Sequence, residues 1–243
     1  KHLSIMNRPL LLFVFTLSCL PGLAQGDPSS YHAYINSTQK EIWKKEVNEK
    51  KFAAKDDKKT QFELALSQYG LLAATMADQD EDMFDDYYDE TVDNLEAIIK
   101  ANKGWGEPKA LLSAVYGLQI AYSPMMGMFL GSKSSNLIEK AKEQSPQSPL
   151  VMKLYANSKF FTPEMFGGDL DEAISSYNKC LQLYESQPNQ LDNNWLYLDA
   201  LAFAGQAYLK KGEKEKARQL FEKALKIEPD FMWVKQGLLP KAL

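Results

Sequence analysis

The feature that most constrains this chain is a spacing near its C-terminus. Taking Leu198 as position 1, small or aromatic residues fall at fixed offsets: Gly205, Tyr208, Gly212, Ala217, Phe221, Ala224 and Pro229. Each has a physical job in a helical hairpin. Gly205 and Ala217 are small where two helices cross closely, and Tyr208 and Phe221 fill the space beside the crossing. Gly212 makes the turn, Ala224 lets the next helix approach, and Pro229 ends the unit. A hairpin of this kind cannot bury its own apolar face alone, so it implies neighbours of the same build.

Altered units precede it. Tyr122-Ser123-Pro124-x-Met126 and Phe161-Thr162-Pro163-x-Met165 lie 39 residues apart, and the same offset pairs Ile138 with Tyr177 and Ala141 with Cys180. The aromatic closing each first helix stands 12 residues before Ser134 or Ala173, against 9 from Tyr208 to Ala217. Both middle units are therefore expected to carry a three-residue insertion in the turn between their helices. Sustained strand alternation is missing, and long Ala/Leu/Lys/Glu segments are broken by Pro, Gly and Ser. Helices are expected at 38–52, 58–76, 81–101, 108–122, 134–144, 149–161, 169–185, 192–210, 214–227 and 230–238. Thr38 with Glu41, and Asp169 with Glu172, form capping-box patterns. Ile42, Trp43 and Val47 at one end, and Phe231, Val234 and Leu238 at the other, suit capping helices.

These residues resemble the tetratricopeptide repeat superfamily. The runs Phe129-Leu130-Gly131-Ser132-Lys133-Ser134, Thr162–Asp169 and Ile227–Val234 more narrowly resemble exported repeat proteins of Bacteroidetes-type bacteria. A weaker similarity is to helical-repeat subunits associated with periplasmic solute transporters. The resemblance implies an all-α fold, a right-handed α-solenoid of helical hairpins over residues 58–243, and a non-catalytic role.

The N-terminus carries an address. Leu10–Leu17 is apolar but too short to span a bilayer, Arg8 precedes it, and Pro21-Gly22-Leu23-Ala24 ends in small residues. That layout predicts a signal peptide over 1–24, cleaved after Ala24, then a capping region over 25–57 and a periplasmic location. Cys19 offers the alternative of a lipoprotein, although Thr16 and Leu17 depart from the residues expected ahead of a lipidated Cys. After cleavage Cys180 would stand alone, and it reads as core filler.

Composition narrows the chemistry. The 243 residues carry a net charge of −4 and only two His, which disfavours nucleic acid as partner and most His-based or metal catalysis. No nucleophile–base pair is visible, so no catalytic, cofactor or metal residue is assigned. The run Asp78–Glu90 has alternating carboxylates in the manner of a calcium loop, but Met83 stands where the turn needs Gly and Asp89 where a Glu is usual. An acidic helix start explains it better. Asn36-Ser37-Thr38 matches a glycosylation sequon, and Gly167-Gly168 reads as a turn feeding Asp169 rather than a phosphate loop.

The reading that results is an exported scaffold that holds a protein or peptide on the concave face of its first helices. By the repeat pattern that face includes Tyr116, Tyr155, Lys159, Gln206 and Lys210. The alternative is a small-molecule-binding accessory protein of a transport system, motivated by 12% aromatic residues and nine Met. Two turns, Ser123–Lys133 and Thr162–Asp169, hold Met125, Met126, Met128, Phe129 and Leu130, and Met165 and Phe166. Either they close on themselves as small private cores, or Met128, Phe129, Met165 and Phe166 form a partly exposed apolar rim. Equivalent turns of stacked repeats are expected on the same edge.

Overall fold

A computed structural model describes residues 26–36, 40–53 and 57–243. The expected signal peptide and Cys19 lie outside the described residues, as do Ser37 and Thr38, which the sequon and the first capping box require.

The described residues form ten α-helices: α1 Pro28–Ile35, α2 Lys40–Ala53, α3 Lys58–Thr75, α4 Glu81–Ala101, α5 Gly106–Tyr122, α6 Gly127–Gln144, α7 Pro149–Phe161, α8 Leu170–Glu185, α9 Trp195–Lys211 and α10 Lys214–Ile227. The chain closes with a π-helical turn, Trp233–Leu238, and a 3-10 turn, Leu239–Ala242. Local chemistry sets most of the boundaries. Asp57, Asp80, Ser148, Asp169 and Asn194 each turn a side-chain oxygen onto a free backbone N–H of the first turn that follows. Gly212 ends α9 at φ +85°, a left-handed conformation that a side chain would penalise.

The helices alternate between two layers. α3, α5, α7 and α9 touch one another in succession, whereas α4, α6 and α8 pack on the neighbours that flank them in the chain. Burial follows from this: α9 is lined with buried residues on nearly every side, but only Ala217, Phe221 and Ala224 are buried in α10. An inner helix contacts a layer on both sides and must be apolar all round. An outer helix needs only one apolar stripe. The chain is thus an α-solenoid of helical hairpins.

Three expectations are corrected. The first is α1, a helix absent from the sequence reading. It touches both α3 and α9, so the inner row is bridged at its open side by the N-terminal segment. The second is the inserted turn after α5. Gly127–Lys133 is helix, lengthening α6 by about two turns beyond the expected start at 134. A short 3-10 turn at Pro124–Met126 is the whole connection. The third is the capping box at Asp169. Its side chain accepts from the Glu172 N–H at 2.9 Å, but the Glu172 carboxylate does not reach back, being engaged by Tyr155.

The C-terminal hairpin is built as its spacing demands. A Cβ placed on Gly205 would lie 2.3 Å from the Phe221 ring, so only glycine admits the crossing. Ser134 takes the small-residue role in α6: it and Ser113 of α5 exchange hydroxyl-to-carbonyl hydrogen bonds of 2.9 and 3.0 Å. Ile138, Ala141, Tyr177 and Cys180, paired by the offset of 39, are all buried. Burial pushes the Cys180 thiol far above its ordinary range, which leaves it unreactive as core filler.

Candidate functional site

The expected concave face does not survive as an open surface. Tyr116 and Tyr155 are buried, with hydroxyls donating to Glu96 at 3.3 Å and Glu172 at 2.5 Å. Lys159 pairs with Glu139 at 3.4 Å and Glu172 at 3.3 Å, and Lys142 sits 3.7 Å from the Tyr155 ring centroid. Glu139 and Lys142 lie on α6 and Glu172 on α8. The Tyr155–Lys159 stripe of α7 therefore turns outward, beneath the second layer, and forms an internal charge cluster. Burial and the neighbouring carboxylates hold the Tyr155 phenol well above its ordinary range. The hydrogen bond from Tyr155, reinforced by Lys142 and Lys159, holds Glu172 below the usual carboxylate range. Gln206 is partly buried, and Lys210 is exposed with Nζ 5.1 Å from the Phe160 ring.

What faces inward is a different set. Lys153 of α7 is wholly buried and ion-paired with Asp199 of α9, with the rings of Tyr69 and Trp195 5.8 and 5.9 Å from its Nζ. Burial opposes the Lys153 charge, but the Asp199 carboxylate prevails and holds its pKa above the ordinary value. Above this pair lies α1. The Tyr34 hydroxyl donates to Asp199 at 2.7 Å, and the Tyr34 ring packs 5.3 Å from Trp195 and 5.5 Å from Phe231. A single lysine at 153 in an otherwise apolar run was the signal for this pair, but its partner 46 residues away has no mark in the pattern.

The two Pro-Met turns hold the exposed apolar surface. Lys103 lies by Gln144 and Ser113 by Ser134, so α5 and α6 are antiparallel; Lys142 by Tyr155 and Glu139 by Lys159 make α6 and α7 antiparallel too. Accordingly α5 and α7 run the same way, and both turns leave from one edge. Met128 is 75% exposed, Phe129 61%, Met165 82% and Phe166 72%, so neither turn buries its large side chains in a private core. Leu130 is buried, and Met126 is partly buried against the core. The reason is geometric: in α6 Met128, Phe129 and Leu130 are consecutive residues of one helical turn and point in different directions, so they cannot all face the protein. In the second turn the backbone closes on itself instead. Gly167 is left-handed at φ +97°, and a Cβ on Gly168 would overlap the Thr162 carbonyl at 1.8 Å.

Phe161 extends this edge. It is exposed, packs 5.5 Å from Phe203, and Phe203 lies 5.4 Å from the partly exposed Trp233. An aromatic row thus crosses α7, α9 and the C-terminal turn, which the offset-based reading missed because its members come from three units.

The acidic run is a helix start. Asp80 caps α4 by accepting from the Met83 N–H at 3.1 Å, and Lys40 pairs with both Asp78, at 2.7 Å, and Asp80. Among the described residues no cluster of three metal-ligating side chains occurs, and no helix is long and apolar enough to cross a membrane.

Comparison with known proteins agrees with this architecture. Tetratricopeptide repeat families match residues 198–231, beginning at Leu198, and residues 165–187. No curated protein matches the chain by sequence. The crystal structure of TTC0263, a thermophilic tetratricopeptide repeat protein of Thermus thermophilus, is similar with a TM-score of 0.53 over 87% of this chain and 90% of that one, at 13% identity. MamA is similar over 67% of this chain and 86% of its own, at 19% identity and a TM-score of 0.42. YrrB, described as a tetratricopeptide repeat protein with an unusual peptide-binding site, covers 86% of this chain and 97% of its own, at 19% identity and a TM-score of 0.40. Repeats of this kind serve as protein-interaction scaffolds. Hairpin geometry and repeat spacing together make this chain an α-solenoid with tetratricopeptide repeats at residues 165–187 and 198–231.

Proposed function

We propose that this protein is an exported, non-catalytic scaffold of the cell envelope that docks a protein partner on its apolar edge. The carrying observation is the exposure of Met128, Phe129, Met165 and Phe166 on one edge of a folded solenoid. Leaving a large apolar side chain in water forgoes about 1.5–3 kcal/mol relative to burying it, so several together mark a surface that another molecule covers. Phe161, Phe203 and Trp233 supply the rigid aromatic anchors that dominate protein interfaces. Export rests on the sequence layout of residues 1–24, and the repeats support a protein or peptide as the partner.

Photo-crosslinking residues placed at 129 and 166 in the native host test this reading. A discrete protein adduct in the envelope fraction is expected from both positions, and loss of that adduct on replacing Phe161 by Ser. Recovery of the chain in the cytosol, or irradiation that yields no adduct at either position, would overturn it.

A further inference from the structure

The apolar edge has charged ends of opposite sign. The Tyr122 hydroxyl donates to the Thr75 hydroxyl at 2.9 Å, which sets the C-terminal ends of α5 and α3 side by side. Lys210 lies 5.1 Å from the Phe160 ring and Lys211 pairs with Asp171 at 2.7 Å, which brings the end of α9 to the same edge as the end of α7. Four turns therefore leave one edge in chain order: α3–α4, α5–α6, α7–α8 and α9–α10. The first is acidic. Lys40 answers Asp78 and Asp80, but Glu81 and Asp82 are exposed and have no ion pair among the described residues. The last is basic. Glu213 answers Lys211 and Lys216, whereas Lys210 and Lys214 are exposed with no carboxylate partner among the described residues. Between these ends stand Met128 and Phe129 after the second turn, and Met165 and Phe166 in the third.

The order acidic, apolar, apolar, basic is complementary to itself. A two-fold axis passing between the second and third turns lays the second turn of one copy on the third of the other, and the first on the fourth. Apolar side chains then meet apolar ones, and an acidic turn meets a basic turn at both ends. An unrelated partner would require no such symmetry of the edge. We infer that what covers this edge is a second copy of the chain, in an isologous dimer whose axis passes between the α5–α6 and α7–α8 turns. This rests on the reading that the edge is covered, and names the occupant. Met128, Phe129, Met165 and Phe166 of both copies form the apolar centre, where flexible thioether side chains adapt to the opposing surface. The charged ends fix the register, since laying like turns on each other would set Glu81 and Asp82 of one copy against those of the other. Association follows mass action, so the protomers separate on dilution.

The test is sedimentation equilibrium of the whole chain over roughly 1–100 μM. Wild type is expected to rise from the mass of one chain to that of two, and Phe129→Ser combined with Phe166→Ser to stay at one. Two charge-reversed variants probe the ends: Glu81→Lys with Asp82→Lys, and Lys210→Glu with Lys214→Glu. Each alone sets like charges together at both ends of the dimer and should associate at least about tenfold more weakly than wild type. Mixed in equal amounts, the two restore acid against base at both ends, and association should return to within about threefold of wild type. All six substituted side chains are exposed, so helical circular dichroism should not change. A wild type that keeps the mass of one chain throughout overturns the inference. If positions 129 and 166 then still crosslink a different protein in the host, the edge is covered, but not by a second copy. Charge-reversed variants that dimerise as wild type does, or a mixture as weak as its components, also overturn it, because the two ends would not face each other.

Discussion

The Tyr34 hydroxyl donates a 2.7 Å hydrogen bond to Asp199, joining the first described helix to the last hairpin across 165 residues. Asp199 is also the counter-ion of Lys153, so one carboxylate serves a phenol and an ammonium in the interior of the solenoid. Such a group is well placed only while both partners remain. Breaking a buried pair by removing one member typically costs about 3–5 kcal/mol, because the other charge is left uncompensated.

Lys153→Met is therefore expected to destabilise the protein by about 3–5 kcal/mol in urea unfolding. Tyr34→Phe should cost about 1.5–3 kcal/mol, the range for a hydrogen bond to a charged group. A Lys153→Met variant as stable as wild type would mean that the pair is not buried in solution.

Gly205→Ala tests the hairpin crossing. Alanine favours a helix by about 1 kcal/mol over glycine, but its Cβ would stand 2.3 Å from the fully buried Phe221 ring. Overpacking costs about 1–3 kcal/mol and should prevail, giving a lower midpoint in thermal unfolding. A rise in melting temperature would show that the ring has room to move.

The apolar edge predicts the opposite pattern. Phe129→Ser and Phe166→Ser remove side chains that are 61% and 72% exposed, so each should change stability by no more than about 0.5 kcal/mol. Leu130→Ala, one residue along and buried, should cost about 2–5 kcal/mol. Comparable losses at 129 and 130 would mean that the edge is packed after all.

Alkaline pH probes the seat of α1. Burial, with the Glu228 carboxylate beside it, raises the Tyr31 phenol from 10.0 to about 12. A raised pKa contributes stability that is present in full below pH 10 and is lost as pH rises through about 12. Wild type should thus lose stability between pH 10 and 12 more steeply than Tyr31→Phe, followed by helical circular dichroism. Parallel curves would remove Tyr31 from the contact.

Sequence spacing determined the repeats themselves. Gly205, Phe221 and Gly212 were legible because each answers a local demand, a close crossing, the space beside it and a left-handed turn, which few other residues meet. The start of helix α4 was legible in the Asp78–Glu90 run, because carboxylates favour the positive end of a helix dipole, a feature that lies within the first turns. The inner helices were legible as helices, but being apolar on all sides they carried no stripe to say which face pointed where. Tyr155 and Lys159 were consequently assigned to the groove, when packing against α6 and α8 turns them outward. Helix α1 left little trace, since eight residues with two buried positions show no period, and its order comes from α3 and α9. Whether Phe129 and Phe166 closed on themselves or faced water also lay beyond the sequence, because burial is a property of what surrounds a side chain. Local turns and crossings are written in neighbouring residues; the closure of the inner row and the exposure of its edge arise from contacts between distant ones.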